Sequence, residues 1–240
     1  RSPVKAVLYR AHGGLETLSY EDLPEPTIGP EDVRVRVKAC ALNHLDIWIR
    51  EGNPAYPMTF PHVPGSDAAG IVEQVGSHVE SVTVGQRVFV SPGLSCWNCN
   101  QCLAGGDNLC RTYGLVGAKT HGSYAEYLKV PFRNVLPIPE NLTFEQAAAF
   151  PLVSVTASHM LFALAGLQHG ETVLVMGAGS GVGTMAVQMA KLAGARVMAT
   201  VGTDGKIPRA VILGADAVIN HSTEKVSERA KLLTEGRGVD

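Results

Sequence analysis

Residues 172 to 194, TVLVMGAGSGVGTMAVQMAKLAG, constrain the fold more than any other stretch of the chain. An apolar, β-branched run breaks into a loop with glycine at 177, 179, 181 and 183, then continues as an amphipathic pattern of helical period. Glycine at a strand-to-helix turn lets backbone N–H groups approach a diphosphate, whose charge then sits at the positive end of the helix dipole. The strict G-x-G-x-x-G register is not met, since from Gly181 the run reads G-x-G-x-x-A and is one residue longer than the common form. The context supplies what the motif lacks: a strand before, a helix after, and a second strand, ARVMATV, at 195 to 201. Gly177, Gly179, Ser180, Gly181, Val182 and Gly183 are therefore expected to hold a dinucleotide.

The second strand of an NAD site normally ends on a carboxylate that accepts from the ribose 2′-OH. Here that place is Val201, followed by Gly202, Thr203 and, within reach, Lys206 and Arg209. Hydroxyl and cationic donors without the carboxylate favour NADP(H) over NAD(H), with Thr203 and Lys206 as the expected contacts. Asp204, two positions late, keeps NAD(H) open.

Around this motif the texture of the chain changes once. Up to about residue 140 it is β-rich, with VKAVLY (4 to 9), VRVRVKAC (33 to 40), AGIVEQV (69 to 75), RVFV (87 to 90) and SYAEYLKV (123 to 130) separated by Pro and Gly clusters. A small barrel or sandwich is expected there. Its one helical stretch is NHLDIWIREG (43 to 52), with Asn43 placed to cap it and Gly52 to stop it. From 141 onward, a short capped helix at 143 to 150 and an Ala-rich helix at 154 to 166 precede alternating strands and helices. That alternation predicts parallel β/α units covered on both faces. Two domains follow, 1–140 and 141–240, and only three of the usual six strands are present, so the natural protein is expected to be longer.

The second strong motif is CWNCNQCLAGGDNLC, in which Cys96, Cys99, Cys102 and Cys110 gather four of the five cysteines in one loop. Four soft ligands suffice for a closed tetrahedral zinc site, with no position left for water or substrate; a four-thiolate iron–sulfur cluster is the minor alternative. Clustered thiols do not resemble a disulfide framework spread over a secreted chain. With a net charge of −2 and 45% apolar residues, neither disorder nor nucleic-acid binding by bulk positive charge is expected. No run of eighteen apolar residues occurs, so no membrane association is expected, and a cytoplasmic location fits.

The order of these features resembles the medium-chain dehydrogenase/reductase superfamily: an α/β chain with a GroES-like β-rich catalytic domain, a four-cysteine structural-zinc lobe within it, then a Rossmann domain. The resemblance covers essentially the whole chain. It implies a nicotinamide cofactor, a small-molecule substrate and assembly as a homodimer or homotetramer. Zinc alcohol dehydrogenases of the superfamily carry a second, catalytic zinc. The resemblance puts its first ligand, a Cys, at Asn43 and its second, a His, at Ser66 and Asp67, while FPLVSVTAS offers no Cys for the third. Neither Asn nor Ser is an ordinary zinc ligand.

NHLDIWIREG, the longer glycine run and AAAFPLVSVTA instead resemble quinone oxidoreductases and zinc-independent enoyl reductases. The function this implies is hydride transfer from NAD(P)H to a quinone or an activated C=C bond without a catalytic metal. The alternatives are a zinc-dependent alcohol dehydrogenase and a non-catalytic cofactor-binding protein. Asn43 is the expected donor to the substrate oxygen or nicotinamide ribose, or else a helix cap. Asp46 would orient it or make a structural contact, His44 would bind cofactor phosphate or lie on the surface, and Thr156 would touch the nicotinamide. Tyr56 is expected to line the substrate mouth or simply to pack, and Cys40 to be buried in its strand.

Overall fold

The computed structural model describes residues 3–240. It divides into two compact units, residues 1–152 and 153–240.

The first unit opens with strands β1 (Pro3–Leu8) and β2 (Ser19–Pro24), paired antiparallel from Pro3↔Pro24 to Leu8↔Ser19. Then follow β3 (Asp32–Ala41), helix α1 (His44–Glu51), β4 (Asp67–Val75) and β5 (Arg87–Val90). The cysteine loop lies between the two-residue strands β6 (Gly93–Leu94) and β7 (Gly114–Leu115) and holds one helical turn, α2 (Asn100–Leu103). Strands β8 (Tyr127–Pro131) and β9 (Val135–Pro137) and helix α3 (Phe144–Ala148) complete the unit. Five strands form an antiparallel sheet in the order β8-β3-β4-β5-β9. Its inward positions, Val33, Val35, Val72, Val88, Val90, Leu128 and Val130, are buried and alternate with outward residues such as Arg34 and Arg36. Each such aliphatic side chain stabilises the fold by roughly 1.5–3 kcal/mol relative to exposure.

By packing, the first unit extends to Leu152, because α3 lies on β3, β4 and β5. Ala147 and Ala148 are buried there with Ala69 and Ile138. A capping box starts this helix: Thr143 Oγ1 accepts from the Gln146 N–H at 3.2 Å, and Gln146 Oε1 accepts from the Thr143 N–H at 3.0 Å. Two strand readings also shift. SYAEYLKV is regular strand only from Tyr127, because residues 122–125 bond instead to Val63, Pro64, Gly65 and Val7. SYEDLP forms β2 although it lacks a β-branched run, drawn into pairing by β1.

Helix α4 (Pro151–Ser158) straddles the division and continues as a wider π-helical stretch, His159–Leu164. The second unit then runs β10 (Thr172–Val175), α5 (Gly181–Leu192), β11 (Arg196–Val201), α6 (Ile207–Ile212), β12 (Ala217–Asn220) and α7 (Val226–Leu233). The three strands are parallel in the order β10-β11-β12. Residues 197 to 201 of β11 are all buried, as expected of a strand covered on both faces. Pro208 falls in the first turn of α6, where its missing N–H costs nothing.

Candidate active site

The register of the first sheet builds the site. Ala41, the last residue of β3, pairs with Asp67, the first of β4, and the chain leaving β3 reaches Asn43 two residues later. Asn43 caps α1 through a capping box, with Asp46 Oδ2 accepting from the Asn43 N–H at 2.8 Å. Gly52 stops the helix at a positive φ of 101°. Asn43 and Asp67 therefore meet, and Asn43 Nδ2 donates to Asp67 Oδ2 at 2.9 Å.

Asp67 has no solvent exposure. Its other oxygen, Oδ1, accepts from the Leu152 N–H at 2.9 Å, and its carbonyl accepts from the Ser123 hydroxyl at 2.7 Å. Burial pushes its carboxyl up to about 6; the Asp46 charge adds to this, while the donors Asn43 and Leu152 oppose it. Asp46 is buried as well, and burial raises its carboxyl against the pull of three donors. Those donors are the Asn43 N–H, the Tyr124 hydroxyl at 2.9 Å and the Gly65 N–H at 3.2 Å. Both oxygens of Asp46 thus tie the start of α1 to the 65 and 124 segments. Burial, then Asp46, raise the Tyr124 phenol.

His44 is exposed at the start of α1, next to Asn43, its ring 6.0 Å from that of Trp48, and it lines one cavity with Asn43, Asp46 and Tyr124. Leu42, Ile47 and Trp48 are exposed large apolar side chains flanking Asn43. Tyr56 packs against the cluster of Leu45, Ile49 and Ala118. Cys40, expected to be buried, is exposed near the end of β3. Ser66 is fully buried with its hydroxyl unpartnered.

In the second unit the glycine loop is built as a cradle. Ser180 caps α5, its Oγ accepting from the Gly183 N–H at 3.0 Å. A Cβ on Gly183 would lie 2.2 Å from the Gly177 carbonyl oxygen, so the tight turn excludes any side chain there. The Thr200 hydroxyl accepts from the Gly177 N–H at 2.9 Å, fastening the loop to β11. Gly179, Ser180 and Gly181 are exposed, and Val182 is half-buried behind them. The Lys206 side chain passes over Gly179, its Nζ 3.7 Å from where a Cβ would stand. Thr203 is exposed beside it, whereas the Asp204 carboxylate accepts from Asn220 Nδ2 at 2.7 Å. Thr156 lies half-buried in α4. These residues fit a nicotinamide dinucleotide: an open helix N-terminus, a backbone without side chains, and a cation above it.

The thiol sulfurs of Cys96, Cys99, Cys102 and Cys110 all lie within 4.8 Å of one another. Tetrahedral zinc with bonds of about 2.3 Å needs comparable separations, so the four cysteines fit one ion. The Thr112 hydroxyl and then the Cys96 N–H pull the Cys110 thiol down to about 6, toward the thiolate that ligates. Among the described residues, this is the one group of three or more His, Cys, Asp or Glu side chains close enough to share a metal.

The pattern of the alcohol dehydrogenase GroES-like domain matches residues 29–140, and that of the zinc-binding dehydrogenases matches residues 181–240. An alcohol dehydrogenase of Geobacillus stearothermophilus is 35% identical over 216 residues, which are 89% of this chain and 63% of that protein. Human quinone oxidoreductase is 31% identical over 238 residues, 99% of this chain and 64% of its own. A crystal structure of an NAD-dependent alcohol dehydrogenase superposes with a TM-score of 0.94 at 50% identity, covering 98% of this chain and 69% of that one. The chain belongs to the medium-chain dehydrogenase/reductase superfamily. It spans between 63% and 69% of the length of these relatives.

As a member of this superfamily, the chain joins a GroES-like domain to a Rossmann-type domain. Asn43, where the resemblance puts the first catalytic-zinc ligand, is hydrogen-bonded to Asp67, and the residue next to Asp67, Ser66, stands where the second ligand, a His, would be. Sequence reasoning gave Asp67 no role. The available signal was a lone acid heading the small, apolar run DAAGIV, where an unpaired charge is costly. No helix among the described residues is long and apolar enough to cross a membrane.

Proposed function

We propose that the chain belongs to an NAD(P)H-dependent oxidoreductase that reduces a quinone or an activated C=C bond without a catalytic metal. The observation that carries this reading is the Asn43–Asp67 hydrogen bond at 2.9 Å, which engages the amide standing in for a first metal ligand, beside a buried Ser66 in place of the second. An amide has two N–H donors. One is held by Asp67, and the other is offered to the oxygen of the substrate. Negative charge develops on that oxygen as hydride arrives at the conjugated carbon or the quinone ring, and an oriented donor there is worth about 3–4 kcal/mol. Bound NAD(P)H would supply the hydride, held by the 177–183 loop and Ser180, with Thr156 at the nicotinamide. The exposed apolar side chains Leu42, Ile47 and Trp48 suit a flat, apolar acceptor.

NADP(H) is favoured because Lys206 and Thr203 stand at the end of β11, while Asn220 holds the Asp204 carboxylate. The zinc in the cysteine lobe would stiffen a loop and take no part in the reaction. Assembly as a homodimer or homotetramer and a cytoplasmic location, where clustered thiols stay reduced, belong to the same reading.

A second reading, alcohol oxidation with NAD+, is favoured by the 50% identity to a structure described as an NAD-dependent alcohol dehydrogenase. One steady-state screen decides between them: NADPH and NADH against quinones, enones, enoyl thioesters and aldehydes, with the metal counted on the same preparation. Turnover of quinone or enone with a single zinc per chain supports the first reading. Aldehyde or alcohol turnover with two zinc per chain overturns it.

A further inference from the structure

We propose that Asp67 is the positioning residue of this site: its carboxylate aims the Asn43 amide, so that an N–H rather than the carbonyl meets the substrate oxygen. The inference rests on Asn43 being the group that meets that oxygen.

A carboxamide has nearly the same shape in its two flipped orientations, so its hydrogen-bond partners choose between them: the Asp46 N–H of the capping box on the oxygen side and, with a full charge, the Asp67 carboxylate on the nitrogen side. Asp67 cannot turn away. Register holds its backbone opposite Ala41, and the Leu152 N–H grips Oδ1 at 2.9 Å. Ser123 fixes its carbonyl at 2.7 Å. Oδ2 is left facing Asn43, and an ionised carboxylate oxygen only accepts, so the amide must present Nδ2. The other orientation would set the Asn43 carbonyl oxygen against the carboxylate, in a place without water to screen the repulsion.

Protonation reverses the preference. A neutral Asp67 would keep Oδ1 on the Leu152 N–H and carry its proton on Oδ2, as a donor that the Asn43 carbonyl accepts after a flip. The amide would then turn its N–H groups away from their working direction. The groups facing Asp67 set where this happens. Asp46 on α1 is the charged neighbour, itself clamped by Tyr124, and Cys40 on β3, exposed as a residue, carries a thiol that partial desolvation and then the two carboxylates push up. Burial, with the Asp46 charge adding to it, lifts Asp67 to about 6. A fully buried carboxylate is retained here against its desolvation cost, as expected where orientation matters more than stability.

The test combines Asp67→Asn with wild-type pH titration of the intact, zinc-loaded enzyme. For the wild type, kcat should fall on the acid side with a midpoint near 6, and the Asn43 side-chain 1H–15N signals should move with the same midpoint. In Asp67→Asn, kcat at pH 8 should drop about tenfold to a hundredfold, KM should change less, and the acid limb should vanish with zinc content unchanged. Asp67→Asn with wild-type kcat and an intact acid limb overturns the proposal, provided that Asn43→Ala is slow. If Asn43→Ala retains full kcat, it is the role of Asn43 that fails. Should Asp67→Asn not fold, the wild-type titration stands alone, and Asn43 signals that stay still between pH 5 and 7.5 overturn the proposal.

Discussion

The cysteine lobe and the Asn43–Asp67 cluster both gather groups that bind protons or metals, and they do so in opposite ways. The lobe draws its four ligands from fifteen consecutive residues on a largely exposed loop, and the thiols have mainly one another as neighbours. The cluster draws Asn43 and Asp46, Asp67, and Tyr124 from three separate segments of the chain and buries its two carboxylates. A closed four-thiolate shell leaves nothing for a substrate to approach, whereas the cluster leaves one amide donor beside an apolar surface. Local sequence made the first site, and sheet register made the second. Visibility in a sequence and the reactivity proposed for the fold therefore diverge in this protein.

The largest expected effect sets the two apart by folding energy. Structural zinc sites of this type contribute on the order of 10 kcal/mol, so Cys102→Ser or strong chelation should release the metal. Hydrogen exchange over residues 96–110 should then rise to that of an unfolded loop, while β10–β12 keep their protection. Loss of protection throughout both units would show that the lobe is more than a local scaffold.

Asn43→Ala tests the other side. It should lower kcat by 10²–10³-fold, the value of about 3–4 kcal/mol for a lost oxyanion donor, and leave zinc content unchanged. A variant that loses zinc along with activity would join the two sites that the structure separates.

Of similar size is the pH dependence of stability carried by Asp67. Its folded value of about 6 lies above the ordinary 3.8, so its contribution is most favourable below 3.8 and is lost as pH rises through about 6. Relative to Asp67→Asn, the wild type should lose about 2.4 kcal/mol between pH 4 and 7.5 in paired urea titrations. A constant difference across that range would mean that the carboxylate is well solvated. The smallest effect is at the cofactor: Lys206→Ala should raise the KM for NADPH about tenfold and leave that for NADH unchanged, the value of one exposed charge-assisted hydrogen bond.

How much of this was legible in the sequence follows the same divide. Helix α1 was readable end to end because Asn43 and Gly52 are local signals, and the glycine loop because strand, turn and helix are contiguous. Strand β2 was not, since SYEDLP carries no β-branched pattern and owes its strand to β1. The GroES-like pattern ends at residue 140, where the texture of the sequence changes, but the compact unit runs on to Leu152 because α3 packs back on strands some sixty to a hundred residues earlier, a contact that no local signal announces. Asp67 was passed over for the same reason. Its meaning lies in pairing with Ala41, and that pairing depends on irregularities in the β3–β4 ladder at Arg34/Val35 and Val37/Ala39.

The central claim is that the metal site is scaffold and the reaction is metal-free. It is tested most directly by counting zinc in the intact, active enzyme by mass spectrometry while assaying NAD(P)H-dependent quinone or enone reduction. The account predicts one zinc per chain, removed by Cys102→Ser and retained by Asn43→Ala and Asp67→Asn. A second zinc whose loss in Asn43→Ala or Asp67→Asn tracks the loss of turnover would contradict it.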